Sequence, residues 1–169
     1  GYSNFPDEYI DQKAPSEDGL FLIDLIDNEK ELIVSLEEVS KIEPRSEMEN
    51  AEHYFNHLFF SPDNKYLLFF HLWSKNSMRD SRLFKYNLAT KQTDLLINNT
   101  ISHFAWKDHE TILLTEFEGN QPKYNLYNIN GKHIETIGEK ILNRDGHPTY
   151  SMDKKYILSD TYPGYFGFR

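Results

Sequence analysis

The chain has 169 residues, a formal charge of −9, an aromatic content of 15% and no cysteine. The acidic balance argues against a nucleic-acid backbone or an anionic membrane as partner, and the lack of cysteine excludes disulfides and thiolate metal sites. One domain with a sizeable core is expected from this length. Because the sequence shows neither a secretory signal nor a long apolar run, we expect a cytoplasmic protein, or a periplasmic or secreted one if a signal peptide was removed.

An N-terminal arm and six hairpins of two alternating kinds are predicted along the chain. Residues 1–18 are acidic and rich in turn formers, which predicts an extended arm. Outer hairpins, in which aromatic and polar residues alternate as in half-exposed strands, are predicted near residues 19–36, 82–97 and 124–138. Inner hairpins, whose second strands are nearly continuous apolar runs typical of strands covered on both faces, are predicted near residues 57–73, 103–117 and 147–161.

The segment that follows the first outer hairpin has a different pattern. Apolar residues recur at helical spacing between Leu36 and Ile42, and Ser35 precedes them as a candidate N-cap. This pattern predicts a short helix or loop between two blades.

A histidine occupies the same place at the start of each inner hairpin. His57, His103 and His147 are separated by 46 and 44 residues, and each is followed three places on by an aromatic residue. A period in the forties with several short strands per period indicates the blades of a β-propeller. Three inner and three outer hairpins make residues 19–169 an all-β partial propeller of about three four-stranded antiparallel blades. Since closed propellers have about 4–8 blades, the sequence is interpreted as part of a longer propeller, or as one that completes itself by forming a homo-oligomer through open sheet edges.

The repeated histidines have two interpretations. Equivalent positions of successive blades surround one axis, so His57, His103 and His147 can converge on a divalent metal such as Mn, or Fe, Ni or Zn, which neutral imidazoles bind well. Alternatively, each imidazole makes a separate structural hydrogen bond to the neighbouring blade. Repetition favours both interpretations equally.

Other polar residues are candidates for ligand binding. His71, Glu116 and Asp160 lie near the ends of the second inner strands, where a polar group in an apolar strand needs a partner or water; the alternative is a solvent-facing rim position. Arg144 and Asp145 directly precede Gly146-His147 and offer an anion clamp with its orienting carboxylate. Arg144 is also the candidate catalytic residue, whereas the alternative for the pair is a surface turn.

Two sets of motifs resemble known propellers. Residues 60–68 (Phe-Ser-Pro-Asp-Asn-Lys-Tyr-Leu-Leu) resemble the Ser-Pro-Asp-Gly repeat of TolB-like propellers, with Asn64, and Lys154 in the third copy, in place of the usual glycine. Residues 54–57 (Tyr-Phe-Asn-His), 144–151 (Arg-Asp-Gly-His-Pro-Thr-Tyr-Ser) and 160–163 (Asp-Thr-Tyr-Pro) resemble propellers similar to oligogalacturonate lyase. The resemblance covers roughly residues 1–163. It implies a seven-bladed propeller, a manganese ion held largely by histidines, and β-elimination on uronate sugars.

Two classes of function follow from these observations. The first is a binding or scaffold propeller that recognises a glycan, such as a uronate-containing saccharide, or a protein partner. The second is a metal-dependent, oligogalacturonate lyase-like enzyme, in which an imidazole or Arg144 assists removal of the proton next to the carboxylate. Binding is preferred because the sequence lacks the later blades, in which members of the lyase group carry further ligands.

Overall fold

The computed structural model describes residues 8–160, so part of the predicted arm (residues 1–7) and residues 161–169 lie outside the described range. Residues 8–18 consist of turns and bends. The following strands are β1 (Gly19–Asp24), β2 (Glu29–Ser35), β3 (Glu52–Phe60), β4 (Tyr66–Lys75), β5 (Met78–Asn87), β6 (Gln92–Ile97), β7 (Ile101–Trp106), β8 (Thr111–Glu118), β9 (Gln121–Asn128), β10 (His133–Ile137), β11 (Thr149–Tyr150) and β12 (Ile157–Leu158). One α-helix, α1 (Leu36–Lys41), and one 3-10 helix (Ser46–Met48) lie between β2 and β3.

These strands confirm the predicted all-β partial propeller. Two complete four-stranded antiparallel sheets have the strand orders β3-β4-β5-β6 and β7-β8-β9-β10. The hairpin β1-β2 precedes them and the short hairpin β11-β12 follows them. The described range therefore contains two whole blades, here called the first and second blade, and two half blades.

The apolar core lies between neighbouring sheets. Strand β4 is buried on both faces, because its alternate side chains pack in opposite directions. Leu68, Phe70 and Leu72 pack against the second blade. Phe69, on the opposite face, packs with Leu20 and other residues of the preceding hairpin. This double burial explains why β4 is an almost unbroken apolar run in the sequence.

The turns of the first and third inner hairpins have the same internal hydrogen bonds. The Ser61 hydroxyl donates to Asp63 at 2.7 Å and accepts from the Tyr66 amide at 3.0 Å. The Ser151 hydroxyl makes the equivalent bonds to Asp153 and from the Tyr156 amide, at 2.7 and 3.0 Å. The fourth turn residue is left-handed in both, with φ of 57° at Asn64 and 61° at Lys154.

Replacing Lys154 with Gly is expected to raise the free energy of unfolding by about 1 kcal/mol. A residue with a Cβ pays roughly 1–2 kcal/mol for a left-handed backbone, and the greater flexibility of unfolded glycine cancels part of the gain. Asn64→Gly is the matched control and should change stability little, because Asn tolerates this conformation. Denaturant titration of both variants tests the prediction, which is wrong if Lys154→Gly gains no more than Asn64→Gly.

Residues 36–51, here called the strap segment, connect the first half blade to the first blade. The Ser35 hydroxyl accepts from the Glu38 amide at 3.1 Å and caps α1, as its position in the sequence predicts. The end of the segment is anchored by Met48 and Ala51, which form a small buried cluster with Trp73 of β4. The strap segment therefore covers one face of the first blade.

Open strand edges remain in the described range. Within residues 8–160, β1 pairs with β2 alone, and β12 pairs with β11 alone. Self-association through such edges stays a prediction. No helix within residues 8–160 is long and apolar enough to cross a membrane.

Candidate functional site

The inner ends of three successive blades bring the repeated histidines together. His57 lies in β3, His103 in β7, and His147 just before β11. One ligand nitrogen from each lies within 4.8 Å of the other two. The ring centroids are 5.6 Å apart for His57 and His103 and 4.1 Å apart for His103 and His147. The three side chains thus form one cluster.

Irregularities in two strands direct these side chains inward. The pairing of β3 with β4 shifts register between Asn56 and Phe59, and His57 within this bulge has a left-handed φ of 52°. The Asn56 side-chain oxygen accepts from the His57 amide at 2.7 Å and supports this backbone. The pairing of β7 with β8 shifts between Ile101 and His103. Bulges re-aim side chains and are frequent next to functional sites.

Carboxylates contact the Nδ1 atoms of two of the histidines. His103 Nδ1 lies 3.1 Å from Asp145, which also accepts from the Ser102 hydroxyl at 2.6 Å. His147 Nδ1 lies 2.9 Å from Asp160, which also accepts from the His147 amide at 2.6 Å. In metal sites, a carboxylate on one ring nitrogen fixes the tautomer and makes the other nitrogen a better ligand. Asp145 and Asp160 are therefore placed to orient the histidines.

The pKa values of these carboxyl groups agree with that arrangement. Burial would raise the pKa of Asp145, but the hydrogen bonds from His103 and Ser102 outweigh it and hold the pKa below its ordinary value. The backbone amide of His147, followed by its imidazole, lowers the pKa of Asp160. Both groups are ionised at neutral pH and can balance the charge of a cation.

His57 is neutral at neutral pH. Burial lowers its pKa most, and the neighbouring His103, His147 and Arg79 lower it further. Its Nδ1 is buried and has no hydrogen-bond partner among residues 8–160. A buried polar atom without a partner is costly, so His57 offers a nitrogen that a ligand would satisfy.

The donor set fits a divalent transition metal. Metal–imidazole bonds of about 2.0–2.1 Å place neighbouring ligand nitrogens roughly 3–3.5 Å apart. The observed cluster, within 4.8 Å, therefore needs an inward movement of about 1 Å. Three histidines leave coordination positions open for a ligand. Metal binding itself remains a prediction.

The histidine cluster opens into a cleft of about 380 Å³. Its walls include the residues Asn56, His57, Phe70, Leu72, Arg79, Asp80, Ser81, Thr100, Ile101, Ser102, His103, Phe117, Asp145 and His147. Arg79 and Asp80 were missed in the sequence because they belong to no motif. The signal that could have found them is the tight turn between β4 and β5, which returns β5 to the same end of the blade.

Four candidate residues lie outside these walls: Arg144, His71, Glu116 and Asp160. Arg144 has an exposed side chain, and its carbonyl accepts from the Tyr124 hydroxyl at 2.9 Å. His71 is fully buried and contacts His53 and Arg82. The predicted site residues that line the cleft are therefore Asp145 and the three histidines. Asp160 contacts His147 from outside the cleft walls.

Glu116 belongs to a separate polar network on the second blade. Its carboxylate accepts from Asn99 at 3.0 Å, from Asn125 at 2.6 Å and from the Tyr127 hydroxyl at 2.7 Å. Burial and this carboxylate raise the pKa of Tyr127. These three donors satisfy the buried carboxyl oxygens, which gives Glu116 a structural role between the strands.

Comparison with known proteins supports the architecture. The crystal structure of TolB from Acinetobacter baumannii matches over 90% of this chain, with a TM-score of 0.58 and 20% sequence identity. The fold is a TolB-like β-propeller segment. The match spans 35% of the TolB chain. No family model matches the sequence, and no curated protein matches it significantly.

Proposed function

We propose that this propeller segment binds an anionic saccharide through a divalent metal held by His57, His103 and His147. The observation that carries the proposal is the convergence of their ligand nitrogens within 4.8 Å at the cleft. Asp145 and Asp160 on two of the imidazoles provide the outer-shell support that such a metal needs. Mn²⁺ is the metal that the resemblance implies, and imidazoles also suit Fe, Ni and Zn.

The cleft also provides a cation for the ligand. Arg79 lines the cleft and lies near enough to His57 to lower the pKa of that imidazole. A guanidinium binds a carboxylate with two parallel hydrogen bonds. When bound, the metal supplies a Lewis acid that polarises a second oxygen of the ligand. A uronate carboxylate fits this pair of positive groups, and the neighbouring polar side chains of Asn56 and Thr100 can bind hydroxyls.

A lyase activity is the second candidate. The observation that favours it is the neutral His57, whose Nδ1 lacks a partner among residues 8–160. In this candidate His103 and His147 would hold the metal, and His57 Nδ1 would accept the proton next to a carboxylate that the metal and Arg79 neutralise. The resemblance supplies the reaction, β-elimination on a uronate. Binding is preferred here because it uses all three histidines as ligands, in keeping with the convergence of their nitrogens within 4.8 Å.

Arg79→Gln is expected to weaken trigalacturonate binding by roughly 10–100-fold in the presence of Mn²⁺. This is the range that the loss of one charge-assisted hydrogen bond of about 1.5–3 kcal/mol produces. Arg144→Gln is the matched control, since its exposed side chain lies outside the cleft walls, and it should bind like the parent. Calorimetry measures both affinities. Equal effects of the two substitutions, or binding by the parent that does not need metal, would contradict the proposal.

Ultraviolet absorbance separates the two candidate functions. An unsaturated uronate product absorbs in the ultraviolet, whereas the substrate does not. Incubating oligogalacturonides with the chain and Mn²⁺ should give no increase in absorbance if the chain only binds. A steady increase that His57→Ala abolishes would establish the lyase instead.

A further inference from the structure

A line of hydrogen bonds crosses the first blade from Arg82 to the strap segment. Arg82 Nε lies 3.1 Å from His71 Nδ1, His71 Nε2 lies 2.7 Å from His53 Nδ1, and His53 Nε2 lies 3.3 Å from the Met48 carbonyl oxygen. The two imidazoles also stack, with ring centroids 4.9 Å apart. Arg82 and His71 are completely buried.

The direction of every bond in this line follows from its first donor. A guanidinium only donates, so His71 Nδ1 must accept from Arg82. The proton of neutral His71 is then on Nε2 and is donated to His53 Nδ1. His53 in turn carries its proton on Nε2 and donates it to Met48. Both imidazoles are therefore neutral and in the same tautomer.

An additional proton cannot be placed on this line without breaking it. Protonated His53 would present an N–H to the N–H of His71 across 2.7 Å. Protonated His71 would present an N–H to Arg82. The pKa values agree: burial, then Arg82, then His53 lower the pKa of His71 to about 2, and burial also lowers the pKa of His53.

Neighbouring charges do not make protonation of either imidazole favourable in the closed strap. Arg82 lowers the pKa of His53, whereas the Met48 carbonyl and Glu52 raise it, and burial outweighs them. Arg45, in the strap segment, pairs with Glu47 and Asp80. The Glu43 side chain is exposed, and its backbone carbonyl is the group that contacts Arg82.

The line holds the strap segment at three points. Arg82 donates to the carbonyls of Val39 at 2.9 Å and Glu43 at 3.0 Å, and His53 reaches the carbonyl of Met48. These acceptors span the segment from α1 to the 3-10 helix. Underneath, Met48 packs against Trp73, which is 2% exposed.

We propose that the end of the strap segment, residues 43–51, is released by acid: it leaves the first blade and uncovers Trp73 when the His53–His71 pair takes up protons, while Val39 stays in the core. Once the strap has left, the pKa values of His53 and His71 return towards the ordinary value of an imidazole. The protons that these two side chains then bind drive the opening as pH falls. Since Arg45 of the strap segment bonds Asp80 of the cleft wall, release also removes the positive charge that pairs with this carboxylate.

Fluorescence of Trp73 tests this proposal. In a Trp106→Phe background, Trp73 is the single tryptophan, because the chain has two. Its emission should shift to longer wavelength, and its quenching by acrylamide should increase several-fold, as pH falls from about 7.5 to about 5. The converse background, Trp73→Phe, reports on Trp106 in the second blade and should change little. Trp73 emission and quenching that stay constant over this range would overturn the proposal.

The variant His53→Gln/His71→Gln separates the imidazole pair from general acid effects. Each glutamine offers an oxygen that accepts and an N–H that donates, so the direction of the line is kept while its titration is lost. Trp73 should remain shielded at about pH 5 in this variant. The matched control is His109→Gln, an exposed histidine in the β7–β8 turn, which should open like the parent. Opening of the double variant at the parent's pH would overturn the proposal; if the double variant does not fold, the parent titration alone decides.

Discussion

Replacing any one of His57, His103 and His147 with Ala is expected to weaken Mn²⁺ or Ni²⁺ binding at least about 100-fold. Loss of an outer-shell partner already costs roughly 10–100-fold, and a direct ligand should cost more. The triple variant should lose little beyond a single variant, because ligands of one site are not additive. In the parent, metal at about 100 times its dissociation constant should stabilise the fold by about 2.7 kcal/mol. Melting curves with and without metal measure both effects.

Two further variants define the site. Asp145→Asn keeps the shape of the side chain but removes the charge next to His103 Nδ1, and should weaken metal binding by roughly 10–100-fold. His109→Ala, which removes an exposed histidine of the β7–β8 turn, should leave metal binding unchanged. If the repeated histidines make separate structural bonds, each substitution should instead cost about 1–2 kcal/mol independently, and metal should not shift the parent's melting curve. That pattern would reject the metal site.

The repeat made most of the fold predictable from the sequence. Buried strands such as β4 must be apolar on both faces because each sheet packs between two others, and this requirement leaves an almost unbroken apolar run. Ser35 marks the start of α1, because a short side chain that accepts from the Glu38 amide is what the helix end needs. The repeated position of the histidines allowed convergence, since equivalent blade positions surround one axis, but it favoured separate structural bonds equally.

The parts of the site and of the buried network that the sequence did not predict depend on contacts between residues on different strands. Arg79 reaches the cleft through the β4–β5 turn, and nothing in its neighbours distinguishes it from a solvated arginine. His71 was predicted as a ligand-binding residue, and its contacts are with Arg82 and His53 on the two neighbouring strands. Such a network is visible only when burial and hydrogen-bond direction are known, because the same residue types at an exposed rim would be independent.

Lowering the pH from about 7 to about 5 is expected to reduce the free energy of unfolding by up to about 2 kcal/mol through His71 alone. The pKa of His71 is about 2 in the folded chain and about 6.5 when unfolded. The unfolded state therefore binds more protons between these values, so the stabilisation is present above about pH 6.5 and is lost as pH falls below it, at about 1.4 kcal/mol per pH unit. Carboxylates such as Asp145 titrate below about pH 4. The change in stability between pH 7 and pH 5 therefore comes from the imidazoles.

Denaturant titrations at several pH values give the free energy of unfolding of the parent and of His71→Gln. The contribution of His71 is the difference between the slopes of these two free energies against pH. The glutamine keeps an acceptor for Arg82 and a donor for His53, so it should show a shallower loss of stability towards pH 5. Parallel slopes would show that His71 is not held neutral by the fold.

Release of the strap sets a limit on the effect of His71 on stability. Once the strap opens, folded His71 can also take up a proton, and the free energy of unfolding of the parent should change less steeply below that pH. A flattening at the pH where Trp73 becomes exposed would connect the local opening to the global stability, because one proton uptake accounts for both.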